Sequence, residues 1–160
     1  MKLQQNTRLA IFSLLEFAAD PERQIPAAEI AQKYEVSSHH LAKVLAELSR
    51  VGMVQSVRGV GGGYRFVGNA RRVTLMDVIS RFEDSLPAES SHSTETPVGQ
   101  ALASVLSEID EIAKASMSSI TLATMLRIVE RQQALTELAA SSRDSKRPNG
   151  VKFRPGGRAA

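Results

Sequence analysis

Two stretches of the chain carry side chains suited to recognising a polyanion. Ser37, Ser38, His39, His40 and Lys43 stand in the first, and Arg58 and Gly59 in the second. Serine hydroxyls suit phosphates or either kind of base, and a lysine ammonium donates to guanine O6 and N7 or to a phosphate. The two adjacent imidazoles can each donate and accept a hydrogen bond; an exposed pair with no individual role is the alternative reading. Arg58 opens a string rich in glycine, Gly59-Val60-Gly61-Gly62-Gly63. A guanidinium presented on such a tip gains from the enhanced negative potential of a narrow minor groove. Arg65 and the pair Arg71-Arg72 follow and suit phosphates, and each phosphate neutralised steepens the salt dependence of binding by about one unit.

The charge distribution supports that chemistry. Net charge is only +3, yet residues 37–72 hold six basic side chains against Glu47 alone. Residues 85–140 hold three basic and seven acidic side chains, and residues 141–160 hold six basic and one acidic. A basic zone, an acidic helical zone and a basic tail imply a polyanion partner for the first and last. A solvated surface could show such asymmetry by chance. The coincidence of the first basic zone with the local pattern described next favours the partner.

These residues need elements to position them. Thr7 to Ala19 places Ile11, Leu14, Leu15 and Ala18 at i, i+3, i+4 and i+7, one face of an amphipathic helix that stops before Asp20-Pro21. A second helix starts near Pro26, a favoured first-turn residue, and is expected to bury Ile30, Ala31 and Tyr34. After the short turn Glu35-Val36, Ser37 is a good N-cap for a third helix running to Arg50. That helix buries Leu41, Val44, Leu45 and Leu48 and leaves His39, His40, Lys43 and Glu47 on its other face. Two strands follow, about Met53–Val57 and Tyr64–Val67, around a loop whose glycines permit positive φ and close approach to another surface. Two helices joined by a tight turn, the second leading into a hairpin, make a winged helix-turn-helix. The start of its second helix meets base edges in the major groove.

Thr74-x-x-Asp77 then reads as a capping box for a short helix bearing Leu75, Val78, Ile79 and Phe82. Residues 85–97, rich in Ser, Thr, Glu and Pro, read as a loop. A long helix, about Val98 to Met117, carries Val98, Leu102, Val105, Ile109 and Ile112 at spacings of 4, 3, 4 and 3. That is a narrow seam of the coiled-coil kind. It can pack on its own domain or on a second copy; its other faces are mostly polar or small, which favours a dimer. Thr121 can cap a last helix with Leu122, Met125, Leu126 and Val129. Residues 141–160 lack periodicity and read as a disordered basic tail.

Several chemistries are excluded or poorly supported. With no cysteine there are no disulfides, thiolate zinc sites, cysteine-ligated iron–sulfur clusters or thiol switches. No two histidines have the i, i+4 spacing of a zinc pair, and no serine sits in a nucleophile elbow. Neither a catalytic residue nor a metal or cofactor site is expected, and the chain is read as no enzyme. The glycine string resembles a nucleotide-binding loop only loosely, because strand and not helix follows it. Glu16 interrupts the apolar run of the first helix, so that run is read as core and not as an export signal. No apolar run approaches the roughly 20 residues that span a membrane, and a cytoplasmic location is expected.

The residues also carry a family resemblance. Met-Lys-Leu with Leu9-Ala10 and Leu14-Leu15; Ile25-Pro26 with Glu29-Ile30-Ala31; Leu41, Val44-Leu45 and Leu48; Gly52-Met53-Val54 with Ser56-Val57-Arg58-Gly59 and Gly61-Gly62-Gly63-Tyr64; and Val73-Thr74-Leu75 with Asp77-Val78-Ile79 together resemble the Rrf-type (Rrf-two) bacterial regulators. The match covers most of residues 1–84 and beyond them is only architectural. The resemblance implies a homodimer with crossing long helices and two wings on a pseudo-palindromic operator. It implies that Arg58 enters the minor groove and that the helix of residues 37–50 enters the major groove. Many members hold an iron–sulfur cluster through three cysteines before the long helix. This chain has none there, and Arg8 lies in the region where some members supply a further ligand from the first helix. A cluster-free member with an unidentified signal is implied.

The expected fold is therefore mainly α with a small β-hairpin. Residues 1–84 form a winged helix-turn-helix domain, 85–97 a loop, 98–140 dimerisation helices and 141–160 a tail. The expected function is a sequence-specific DNA-binding transcription regulator, read as a repressor, acting as a homodimer on double-stranded DNA under an unidentified effector or regulatory protein. A protein-interaction adaptor that keeps the winged shape without specific DNA binding is the rival reading.

Overall fold

The computed structural model describes residues 3–83 and 96–144. Most of the expected 85–97 loop, and the expected tail from residue 145 onward, lie outside the described residues. In chain order the elements are α1 (Gln5–Ala19), α2 (Ala27–Lys33), α3 (Ser38–Arg50), β1 (Val54–Val57), β2 (Gly63–Phe66), α4 (Leu75–Phe82), α5 (Pro97–Ser119) and α6 (Leu122–Asp144). The architecture is mainly helical with one antiparallel hairpin, as the residue patterns led us to expect. Boundaries shift by a residue or two at most ends. At the C-terminus α6 runs through Ser141 to Asp144, past the point where a disordered tail was expected.

Apolar residues of α1, α2, α3, β1, β2 and α4 meet in one core. Leu14, Phe17, Ile30, Leu41, Leu45, Leu48 and Ile79 are fully buried there, together with Leu122 from the first turn of α6. Each such side chain contributes about 1.5–3 kcal/mol over leaving it in water. The stripe of α1 is wider than the four positions expected from spacing: Leu9, Ala10 and Phe17 join Ile11, Leu14 and Ala18, while Leu15 is half-buried. The start of α1 is tied to the end of α4, where the Glu83 carboxylate accepts from the Gln4 backbone N–H at 2.8 Å and from the Thr7 hydroxyl at 2.5 Å.

The capping box opening α4 is present. The Thr74 hydroxyl accepts from the Asp77 N–H at 3.1 Å, and the Asp77 carboxylate accepts from the Thr74 N–H at 2.8 Å. Thr96 caps α5 by accepting from the Gly99 N–H at 3.0 Å, with Pro97 in the first turn. α5 packs on α4. The junction between α5 and α6 is pinned by the Leu75 N–H donating to the Ile120 carbonyl at 2.8 Å and the Leu122 N–H donating to the Val73 carbonyl at 2.9 Å. The chain divides into two compact units, one ending at Arg127 and one beginning at Ile128. In the second unit residues 128–141 of α6 are all exposed, Ile128, Val129 and Leu135 included.

Candidate nucleic-acid interface

α3 begins where Ser37, in extended conformation, stops the preceding turn. Its side chain accepts from the His40 N–H at 3.1 Å, which satisfies one of the free donors of a helix N-terminus. Leu41, Val44, Leu45 and Leu48 bury the inner face as expected. Ser38, His39 and Lys43 are exposed. His40 differs from the expectation of an exposed histidine pair. It is half-buried, and its Nε2 is out of solvent with no hydrogen-bond partner among the described residues. The reason lies in the helical period: His40 is four residues before Val44 and eight before Leu48, so it flanks the buried stripe while His39 points away. Glu47 is likewise half-buried, and Arg50 grips it with Nη2 to Oε1 at 2.8 Å and Nε to Oε2 at 3.0 Å. That hydrogen bond holds the Glu47 carboxyl below the usual carboxylate range and raises the Arg50 guanidinium.

The turn into α3 is tight. Glu35 takes φ of 53°, a left-handed conformation uncommon for a residue with a side chain, and the Val36 N–H closes the turn on the Ala31 carbonyl at 3.0 Å.

The hairpin pairs Val54 with Phe66, Gln55 with Arg65, Ser56 with Tyr64 and Val57 with Gly63. Its loop depends on glycine at positive φ, 109° at Gly59 and 77° at Gly61, and on a bond from the Gly62 N–H to the Gly59 carbonyl at 2.9 Å. Arg58 and Val60 are exposed at this tip. Arg65 is not free in the same way: it is half-buried, and its guanidinium donates to Oε1 of its cross-strand neighbour Gln55, from Nη2 at 2.9 Å and Nε at 3.3 Å. Arg71 and Arg72 are exposed on the turn after β2, which Asn69 organises by accepting from the Arg71 N–H through Oδ1 at 3.0 Å and from the Arg72 N–H through its carbonyl at 2.8 Å.

Of the six basic side chains between residues 37 and 72, Arg50 alone has a carboxylate partner among the described residues. Lys43, Arg58, Arg65, Arg71 and Arg72 have no carboxylate partner there.

One positioning contact left little trace in the sequence. Ile25 pairs with Tyr64 as an isolated antiparallel bridge: the Ile25 N–H donates to the Tyr64 carbonyl, and the Tyr64 N–H donates to the Ile25 carbonyl, both at 2.9 Å. The bridge fastens the hairpin to the start of α2. Pro26 was the available signal, because a proline holds the residue before it in extended conformation.

Helix, tight turn, capped helix and glycine-tipped hairpin on one core define a winged helix-turn-helix protein. Comparison with known proteins narrows the class. Residues 3–128 match the Rrf2 family, described as iron-dependent transcriptional regulators. The chain is 44% identical over 138 residues to the HTH-type transcriptional regulator BadM of Rhodopseudomonas palustris, covering 86% of this chain and 88% of that one. It is similar in structure to a transcriptional regulator from Listeria innocua, with a TM-score of 0.69 at 26% identity over 79% of this chain and 87% of the other. It is similar also to the IscR of T. potens, with a TM-score of 0.65 at 28% identity over 83% and 91% of the two chains. The chain belongs to the Rrf2 family. It is a DNA-binding transcription regulator and not an enzyme. The donor set does not fit the iron chemistry of the family description in its thiolate form: with no cysteine in the chain, a thiolate-held iron–sulfur cluster cannot assemble on it. Among the described residues no three His, Asp or Glu side chains gather to hold a metal ion.

Proposed function

We propose that this regulator binds a pseudo-palindromic operator as a cytoplasmic homodimer and represses transcription there. The observation that carries the DNA reading is the set of uncompensated cations on the recognition helix, the wing tip and the turn behind it. Ser37, Ser38, His39 and Lys43 lie in the first turns of α3, where free N–H groups favour a phosphate and side chains reach base edges. Arg58, set before Gly59 on a loop without bulky side chains beyond Val60, enters the minor groove. Arg65, Arg71 and Arg72 take phosphates. His40 contributes less than its neighbour His39, because its ring is turned partly into the protein.

The dimer reading is supported by α5. Val98, Leu102, Val105, Ile109 and Ile112 are 79%, 57%, 54%, 54% and 60% exposed, although their 4-3-4-3 spacing is that of a helix seam with a partner. No residue of α5 is buried. A second copy supplies the same seam in return, as two-fold symmetry requires, and sets two recognition helices about 34 Å apart or a multiple of it. Repression is the simpler mode, since occupancy of both grooves blocks a promoter without any further contact surface. The signal, a small effector or a regulatory protein, acts by changing the separation of the two recognition helices through α5 and residues 85–97.

The test is a binding isotherm on an operator selected from random duplexes. Wild-type affinity falls steeply with salt, with a slope of about 0.9 per phosphate contacted. Arg58→Ala lowers affinity about tenfold or more, the worth of one good groove contact. A salt-independent affinity without sequence preference would replace this reading with a protein-interaction adaptor.

A further inference from the structure

One cleft takes no part in the nucleic-acid reading. It lies between the first two turns of α1 and the segment joining α2 to α3, with a volume of about 370 Å³, inside the range of about 300–1,000 Å³ that holds small organic ligands. Leu3, Leu9, Phe12 and Val36 give it apolar walls, and the polar residues Gln4 and Gln5 also line it. Arg8 also lines it. Its guanidinium stands over the Phe12 ring, 5.9 Å from the centroid, and pairs with no carboxylate among the described residues. Phe12 in turn stacks on Tyr34, with centroids 5.0 Å apart and planes 21° from parallel.

We propose that this cleft is a binding site for a small apolar monocarboxylate. The carboxylate meets Arg8, the one charged side chain lining the cleft among the described residues, and takes further donors from Gln4 and Gln5. The hydrocarbon body lies against Leu3, Leu9, Phe12 and Val36. A cation is repelled by the unpaired guanidinium, and a strongly polar ligand leaves the four apolar walls without a partner.

The walls give the site a route to α3. Tyr34 caps the end of α2, and its hydroxyl donates to Glu16 of α1 at 2.6 Å. Val36 directly precedes the N-cap Ser37, and Glu35, the left-handed residue of the turn, lies between the two walls. A ligand wedged against Tyr34 and Val36 therefore bears on the residues that set how α3 leaves α2. Only this consequence rests on the DNA-binding reading.

Binding is measured first on the full chain without DNA, by calorimetric titration with straight-chain monocarboxylates from butanoate to decanoate, with octan-1-ol and octylamine as controls. We expect at least one carboxylate to saturate the protein below about 1 mM, with both controls at least about tenfold weaker. Arg8→Gln, a change at an exposed position, lowers carboxylate affinity about tenfold, as loss of a charge-assisted pair should, and leaves the octanol affinity unchanged. Gln5→Trp, also at an exposed position, fills the cleft and abolishes both; melting curves check that each variant stays folded. Failure of every carboxylate to saturate, equal affinity for octanoate and octanol, or indifference to Arg8→Gln overturns the site. In a second arm the bound carboxylate changes operator affinity by the same factor by which operator changes carboxylate affinity, because linkage is reciprocal. Carboxylate binding that leaves operator affinity untouched removes the regulatory role, and a protein that binds no operator at all removes the proposed function while the first titration still decides the cleft.

Discussion

Single atoms decide several properties of this chain. Ser13 is fully buried in α1 and its hydroxyl has no partner among the described residues. A buried hydroxyl without a hydrogen bond is costly, and alanine is the better helix former. Ser13→Ala should therefore raise stability by about 1 kcal/mol, read as a shift of the urea midpoint with unchanged slope. Gly63 shows the opposite case. A Cβ there would stand 2.5 Å from the Ile25 carbonyl oxygen and 2.6 Å from its carbon, so the bridge to Tyr64 leaves no room for a side chain. Gly63→Ala should detach the wing from the start of α2, destabilise the fold by about 1–3 kcal/mol, the usual cost of overpacking, and weaken operator binding together with stability. The glycine string pointed to a loop able to take positive φ and to approach another surface closely, but not to which glycine meets which backbone. Gly59 and Gly61 serve positive φ, whereas Gly63 serves contact.

At the scale of elements, the helix-turn-helix is braced by a short polar link that spacing did not disclose. Glu16 of α1 accepts from Tyr34 at 2.6 Å and from Lys33 at 2.5 Å, so the end of α2 is held to α1 just before the turn. Burial by itself raises the Glu16 carboxyl, but the hydrogen bonds from Lys33 and Tyr34 and the charges of Lys33 and Arg23 bring it below its ordinary value of 4.5. Burial, then the bond and charge of Glu16, push the Tyr34 phenol above its usual range. A carboxyl with a depressed folded-state pKa adds stability above its unfolded value and loses it as pH falls through the folded one. The stability difference between wild type and Glu16→Gln should therefore be full at pH 7 and shrink on acidification below about 4.5, measured as paired thermal midpoints. A constant difference across that window would mean that packing, not charge, holds the link. The α3 stripe, its Ser37 cap and the Thr74 capping box were legible because each depends on residues within one or two turns. The half-buried His40 was harder to read, since a stripe's edge is set by what packs beside it.

For the whole molecule, the question is what covers the seam of α5. The proposed dimer rests on five exposed apolar side chains at helix-seam spacing in one helix, and Ile109 lies within that seam. Ile109→Glu should leave the monomer folded, since that side chain is more than half exposed among the described residues, but convert a sedimenting dimer into a monomer and reduce operator affinity with it. A dimer that survives the charge would place the interface elsewhere. The sequence by itself determined the helices, the caps, the glycine-tipped hairpin, the seam spacing and the absence of thiolate ligands, because all of these are properties of composition or of residues close along the chain. Only the tertiary structure decided that Ile25 fastens the wing, that Leu122 completes a core begun by α1, that His40 turns inward and that the α5 seam lies bare. Those outcomes depend on which apolar faces meet across long separations in the chain, and periodicity records that a face is apolar without recording its partner.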